Sequence, residues 1–326
     1  MRLSILILIR LTAAIVCMAF LNAAQSQNLH RQIEELRRTA SFEPLPLLAP
    51  LDPRSIPLPE ALPAGARCFV LERAVFYDFF EKTPNTFSLQ LESSEIGPLR
   101  LDLVRVELEG EGFEVREAGA ARERLPYTAG IHYRGALSGE DGSAVAFSVF
   151  ADGTVMGLIS GAEGVWVLGP VEQDPDQRLI LYRSEGLPRP HPFVCDADTG
   201  EASDAGHISE PEASQRNSSC KTVAVYLECD YKLYQDRGGN ASAAVNYVSG
   251  LFNQVAALFA NDQISVSIAQ IQVWTTPDPY VGMGSTAAVL NAFRTNKGVN
   301  FPGQLAHFLT TRNIGGGIAY LDVICS

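Results

Sequence analysis

The hydrophobic rhythm of this chain changes once, near residue 220, and the change restricts it to folds built from two dissimilar units. Between residues 68 and 170 short alternating or apolar runs recur at 68–80, 86–91, 99–108, 131–137, 144–150, 154–159 and 165–168. Asp141-Gly142, Asp152-Gly153 and the stretch from Gly161 to Gly164 punctuate them. Period-two alternation gives a strand one buried face, and such glycines supply the positive φ of tight hairpins. An antiparallel β unit is expected. After residue 220 strands and helices alternate. Val223, Val225 and Leu227 read as a strand, and Asn240 or Ser242 can cap a helix. Its Val245, Val248, Leu251, Phe252, Val255, Leu258 and Phe259 recur at three and four until Asn261-Asp262. Ile264, Val266 and Ile268 then change parity to Ile271 and Val273, which marks a bulge near Ala269. Ser285 or Thr286 caps a short helix with Val289, Leu290 and Phe293 that ends at Gly298, and strands fit 305–311 and 318–324. The order β-α-β-α-β-β predicts a mostly parallel, twisted sheet with right-handed crossovers.

The flanking segments read differently. Arg2 precedes a mostly apolar block over residues 3–21 with one charged interruption, at Arg10, and small and polar residues follow. This is the pattern of a secretory signal peptide over residues 1–27, which implies a secreted or extracellular protein. Residues 28–67 begin with a polar helical stretch at 31–38 and continue through Pro44, Pro46, Pro50, Pro53, Pro57, Pro59 and Pro63. Prolines cannot donate to a ladder, so an extended connector is expected there. Residues 188–219 are rich in Pro, Asp, Glu, Ser and Asn and poor in large apolar side chains, the composition of an exposed, cleavable linker. The division is then signal peptide 1–27, connector 28–67, β-rich unit 68–187, linker 188–219 and α/β unit 220–326, an α+β multi-domain chain.

With 46% hydrophobic residues in 326, the chain can bury a core in both units. Its formal net charge of −12 has the wrong sign for binding nucleic-acid phosphates or anionic lipid. Beyond residue 22 no run of about 18 uninterrupted apolar residues could span a membrane. Neither nucleic acid nor a stable membrane association is expected. The sequence has no H-E-x-x-H, no G-x-S-x-G, no phosphate-binding G-x-x-x-x-G-K and no C-x-x-C. His30, His132, His191, His207 and His307 stand too far apart to form an i, i+4 pair, and each reads as a surface or packing residue. In an oxidising compartment Cys68, Cys195, Cys220, Cys229 and Cys325 can form disulfides, with one left over. Asn217-Ser218-Ser219 and Asn240-Ala241-Ser242 match the glycosylation acceptor pattern.

The stretch Ala306-His307-Phe308-Leu309-Thr310-Thr311-Arg312, followed by Gly315-Gly316-Gly317-Ile318-Ala319-Tyr320-Leu321 and Cys325, resembles the strand pair ahead of the zinc helix in reprolysin (adamalysin) metallopeptidases of the metzincin clan. Tyr133, Gly135, Gly139, Gly142-Ser143, Ala146-Phe147-Ser148, Asp152-Gly153, Gly157 and Pro170 resemble the turns of reprolysin propeptides. The resemblance implies an antiparallel β-rich prodomain, then the N-terminal part of a metzincin catalytic domain whose mostly parallel sheet carries an antiparallel edge strand. It implies a zymogen, zinc as cofactor, and protein or peptide substrates held by Gly317, Ile318, Ala319, Tyr320 and Leu321 on the upper rim of the cleft. Strand addition is the physical basis, since glycines let another backbone approach a free edge. The plainer reading of Gly315 to Gly317 is a turn between strands, and both can hold.

The zinc-binding H-E-x-x-H-x-x-G-x-x-H of that family is absent from these residues, so the chain as written is expected to be inactive and to be part of a longer reading frame. Gln304 stands where the resemblance expects an acidic calcium ligand. Cys195, in His191-Pro192-Phe193-Val194-Cys195-Asp196, is a candidate inhibitory zinc ligand donated by the propeptide. Alternatively it pairs with Cys68, leaving Cys220 with Cys229. The competing function is a secreted β-rich binding or protease-inhibitory module without catalysis.

Overall fold

The computed structural model describes residues 29–51, 63, 65–93, 97–119, 123–171, 174, 176–186, 194–198 and 222–320. The expected signal peptide, most of the linker and the end of the α/β unit lie outside them.

Nine antiparallel strands form the larger sheet. In chain order they are β1 (Leu48–Leu51), β2 (Arg67–Leu71), β3 (Thr86–Ser93), β4 (Gly97–Val106), β6 (Ile131–Leu137), β7 (Ala144–Val149), β8 (Val155–Gly161), β9 (Gly164–Pro170) and β10 (Leu179–Arg183), with β5 (Glu109–Glu117) left out. Their spatial order is β1-β2-β10-β9-β8-β7-β6-β4-β3. The hairpins turn where the sequence predicts: Gly142 and Gly153, each after an aspartate, have φ of 75° and 87°. Alternation then sorts the side chains. Tyr133 and Phe147 enter the main core, while His132, Arg134 and Ser148 face the other way. β1 carries Pro50, and its place at the sheet's edge is where a residue without an N–H is tolerated.

The run at 68–80 is not one strand. It divides into β2 and the helix α2 (Arg73–Lys82), because Val75, Phe76, Phe79 and Phe80 follow a helical rather than a two-residue period. Phe79 packs edge-on against Phe87 and lies 5.7 Å from the Tyr133 ring, which closes the core on that face. The first helix, α1 (Leu29–Leu36), lies against β6 and β4 on the opposite face through Ile33. Arg37, just beyond it, donates to the fully buried Asp102 of β4 at 2.7 Å from Nε.

The smaller sheet is parallel, in the order β14-β12-β13-β5, with β12 (Val223–Cys229), β13 (Val266–Val273) and β14 (Leu305–Leu309). Three helices accompany it: α3 (Tyr231–Asp236), α4 (Ala241–Asn261) and α5 (Thr286–Lys297). Asn240 caps α4 and Ser285 caps α5, which ends at Gly298. The bulge near Ala269 appears as register shifts between β13 and both of its neighbours. The buried face of α4 differs from the expected one. Val245, Val248 and Phe252 enter the core of the smaller sheet, but Val255, Leu258 and Phe259 are 41–44% exposed. Its other buried face, with Asn246, Gly250 and Asn253, packs on β6, β7 and β8 of the larger sheet. Ala241–Asn261 is apolar and long enough to cross a membrane, but here it is a core helix shared by two sheets.

A second correction concerns the edge strand. β15 (Gly316–Tyr320) does not pair antiparallel with β14 among the described residues. It forms a two-stranded parallel sheet with β11 (Val194–Asp198). Gly315 and Gly316, at φ of 106° and 120°, turn the chain away after β14, and Arg312 pins the start of that turn.

Candidate functional site

β15 presents the backbone that the sequence reading assigns to substrate. Its register with β11 pairs Val194 with Gly316, Cys195 with Gly317, Asp196 with Ile318, Ala197 with Ala319 and Asp198 with Tyr320. Four of the five predicted rim residues therefore carry a strand from the predicted linker, and Leu321 lies outside the described residues. The structure brings Cys195 to the same edge as Gly317, which sequence spacing alone could not do. α5 supports the strand from behind. The Tyr320 hydroxyl donates to Asn291 Oδ1 at 2.6 Å, and the Arg294 guanidinium lies 4.9 Å from the Tyr320 ring centre.

The turn ahead of β15 is held at the C-terminal end of β12, where parallel sheets commonly bind ligands. Here that end is filled from within the chain. Asp230, fully buried, accepts from Leu233 N at 2.7 Å, from Thr310 Oγ1 at 2.5 Å and from Arg312 Nε at 2.9 Å. Arg312 also donates to the Tyr280 carbonyl at 2.6 Å. Asp278 accepts from Tyr231 N and Tyr280 N. Burial raises the Asp230 carboxyl's pKa, and the Thr310, Leu233 and Arg312 donors oppose that rise. The cluster fastens α3, β14 and the β15 turn together, and its acceptors are occupied.

A second buried network lies beneath α5. Glu228 accepts from Trp274 Nε1 at 2.7 Å and from the Tyr226 hydroxyl at 2.7 Å, and pairs with Lys297 at 2.5 Å. Burial, then the neighbouring Glu228, pushes the Tyr226 phenol far above its usual range. A phenol so placed stays protonated and serves as a donor, not as a base or nucleophile. Gln304 works as a clamp: its Oε1 accepts from Ala224 N at 2.6 Å and its N–H donates to the Ala224 carbonyl at 2.7 Å.

Among the described residues no three His, Cys, Asp or Glu side chains converge as a metal-binding set. His30 meets Asp141 at 2.8 Å, His132 is buried beside Ser148 at 2.9 Å, and His307 is exposed on β14. The residues described therefore do not fit zinc, and no chemical step is routed through it. Cys68 and Cys229 are free, buried thiols, so neither Cys68–Cys195 nor Cys220–Cys229 is a disulfide here. Burial raises the pKa of both thiols, which keeps them unreactive. The sequence reading missed β1, β5, β10 and β11. For β11 the only signal was the short apolar patch Phe193-Val194 inside a polar linker.

Residues 219–326, about a third of the chain, match the model of Reprolysin_5, metallo-peptidase family M12. The resemblance to reprolysin-like metallopeptidases is borne out over that span. Among solved structures, metalloproteinase-II from Bacteroides fragilis is similar at 9% identity and a TM-score of 0.34, over 72% of this chain and 66% of that one.

Proposed function

We propose that this chain belongs to the secreted proform of a reprolysin-like zinc metalloendopeptidase, with the N-terminal β unit as its prodomain and residues 188–219 as the activation linker. The M12 match over 219–326 supports the peptidase class. One observation carries the zymogen reading: an extended segment of the linker lies along β15, residue for residue, on the strand proposed to receive substrate. Strand addition supplies main-chain affinity with little sequence demand, as a peptidase that accepts varied chains requires. While β11 is seated, another extended peptide cannot take the same edge, so removing the linker opens the site. In this reading Cys195, opposite Gly317, is the inhibitory zinc ligand, and Gly317, Ile318, Ala319, Tyr320 and Leu321 bind substrate.

The reading requires a zinc site that the described residues do not form. It therefore predicts H-E-x-x-H-x-x-G-x-x-H in the reading frame beyond Ser326, within about fifty codons. Sequencing the gene through that region is the test. The motif supports the enzyme, whereas an immediate stop codon overturns it in favour of a secreted binding or inhibitory module.

A further inference from the structure

β5 leaves the larger sheet. In sequence it lies between β4 and β6, yet those two strands pair directly with each other and β5 joins the smaller sheet as its outer strand. The pairing with β13 is parallel: Gln270 with Glu114, Ile271 with Val115, Gln272 with Arg116 and Val273 with Glu117, and again Ile268 with Glu109 across the bulge. Ala118 N donates to the Val273 carbonyl at 2.8 Å, and Ile268 N donates to the Leu108 carbonyl at 2.8 Å. Leu108 and Val115, at 0% and 3% exposure, belong to the same core as Val248 and Ile271. The far edge of β5 is covered by its own unit, where Leu125 N donates to the Val115 carbonyl at 2.9 Å.

α4 makes the reciprocal contact. Gly250 lies so close to β8 that an added Cβ would stand 2.6 Å from Met156 Sδ. Asn253, fully buried, donates to the Tyr133 carbonyl at 3.1 Å and to Ser148 Oγ at 3.0 Å, and accepts from Arg134 Nε at 3.1 Å. A close-packed boundary with a shared strand and buried hydrogen bonds resembles a domain interior more than the separable contact usual between domains.

We infer that the N-terminal unit is a permanent strand donor to the C-terminal sheet, so that cutting the linker does not by itself release the unit. The inference rests on the proform reading only for where the cut falls, since the strand donation stands without it. Cutting within 188–219 breaks no bond between β5 and β13 and none made by Asn253. The cut form would then be a two-piece complex, and loss of the N-terminal piece would require its unfolding or digestion.

A site-specific protease sequence placed after Gly206 in the full chain gives the test, because the cut can be driven to completion and the product run on a sizing column in plain buffer. Hydrogen exchange read by mass spectrometry is recorded before and after the cut. Both pieces should co-elute at the size of the uncut chain and separate only in denaturant. Amides at 109–117 should exchange about a hundredfold or more slower than unprotected amides, before and after cutting. Separate elution, or a C-terminal piece lost to the void volume, overturns the inference, as does unprotected exchange at 109–117. Co-elution with protection, from a gene lacking the zinc motif, would sink the peptidase reading and leave the strand donation standing.

Discussion

His132 is buried at 2% exposure where α4 meets the larger sheet, its Nδ1 2.9 Å from Ser148 Oγ. Burial, and then the nearby Arg134 charge, lowers its pKa from 6.5 to about 3. Above its ordinary pKa the imidazole is neutral whether the chain is folded or not, and it adds no pH dependence. As pH falls from 6.5 toward about 3, the unfolded chain takes up a proton that the folded one refuses, so stability falls by up to about 1.4 kcal/mol per pH unit. Asp174 acts in a lower window. Its hydrogen-bonded partner Arg178 lowers its pKa from 3.8 to about 2, so its contribution is present above 3.8 and is lost as pH falls through about 2. His132→Gln, which keeps a polar group beside Ser148, should flatten the decline in urea midpoint between about pH 6 and 4. An unchanged slope in the variant would show that the acid sensitivity arises elsewhere.

At the scale of elements, what the sequence could disclose depended on how local the determining contacts are. The ends of α5 were legible because the cap and the stop are chain neighbours: Ser285 Oγ accepts from Ala288 N at 3.2 Å, and Gly298 has φ of 55°. The bulge at Ala269 was legible for the same reason, since a parity change is written in consecutive residues. β5 was not. Its nine residues offer only Phe113 and Val115 as apolar signals among four glutamates, and its partner β13 lies about 150 residues away in the chain. The exposed half of α4 follows the same logic, because the larger sheet takes a small, polar face of the helix that periodicity reads as solvent-facing. The candidate site was half legible: the glycine-led strand could be named, but β11 lying on it could not. Because α5 supports β15 through Asn291 and Arg294, its cap bears on the site. Ser285→Ala should cost about 0.5–2 kcal/mol, read as a lower urea midpoint with an unchanged slope. Ser285→Gly should cost only a few tenths. Equal midpoints for Ser285→Ala and the parent would mean that the helix start is held by packing instead.

For the whole molecule the two sheets share α4 at their interface and β5 across it, and this arrangement determines what residues 220–326 can do alone. Without the N-terminal unit, β13 loses its outer partner and offers a row of unpaired N–H and C=O groups, the template on which chains aggregate. The smaller core loses Leu108 and Val115, and the face of α4 around Gly250 that met Met156 and Phe150 is opened to water. That exposure adds to Val255, Leu258 and Phe259 on the other side of the helix, which are already partly exposed in the intact chain. Expressed alone, residues 220–326 should therefore bind a hydrophobic dye and sediment as aggregates, whereas the full chain should do neither. Adding residues 29–186 as a second chain during refolding should restore solubility, because the missing strand and the covering sheet both come from that piece. A soluble monomer of 220–326 with a cooperative melt and no dye binding would show that the smaller sheet is complete in itself and that β5 is an accessory to it.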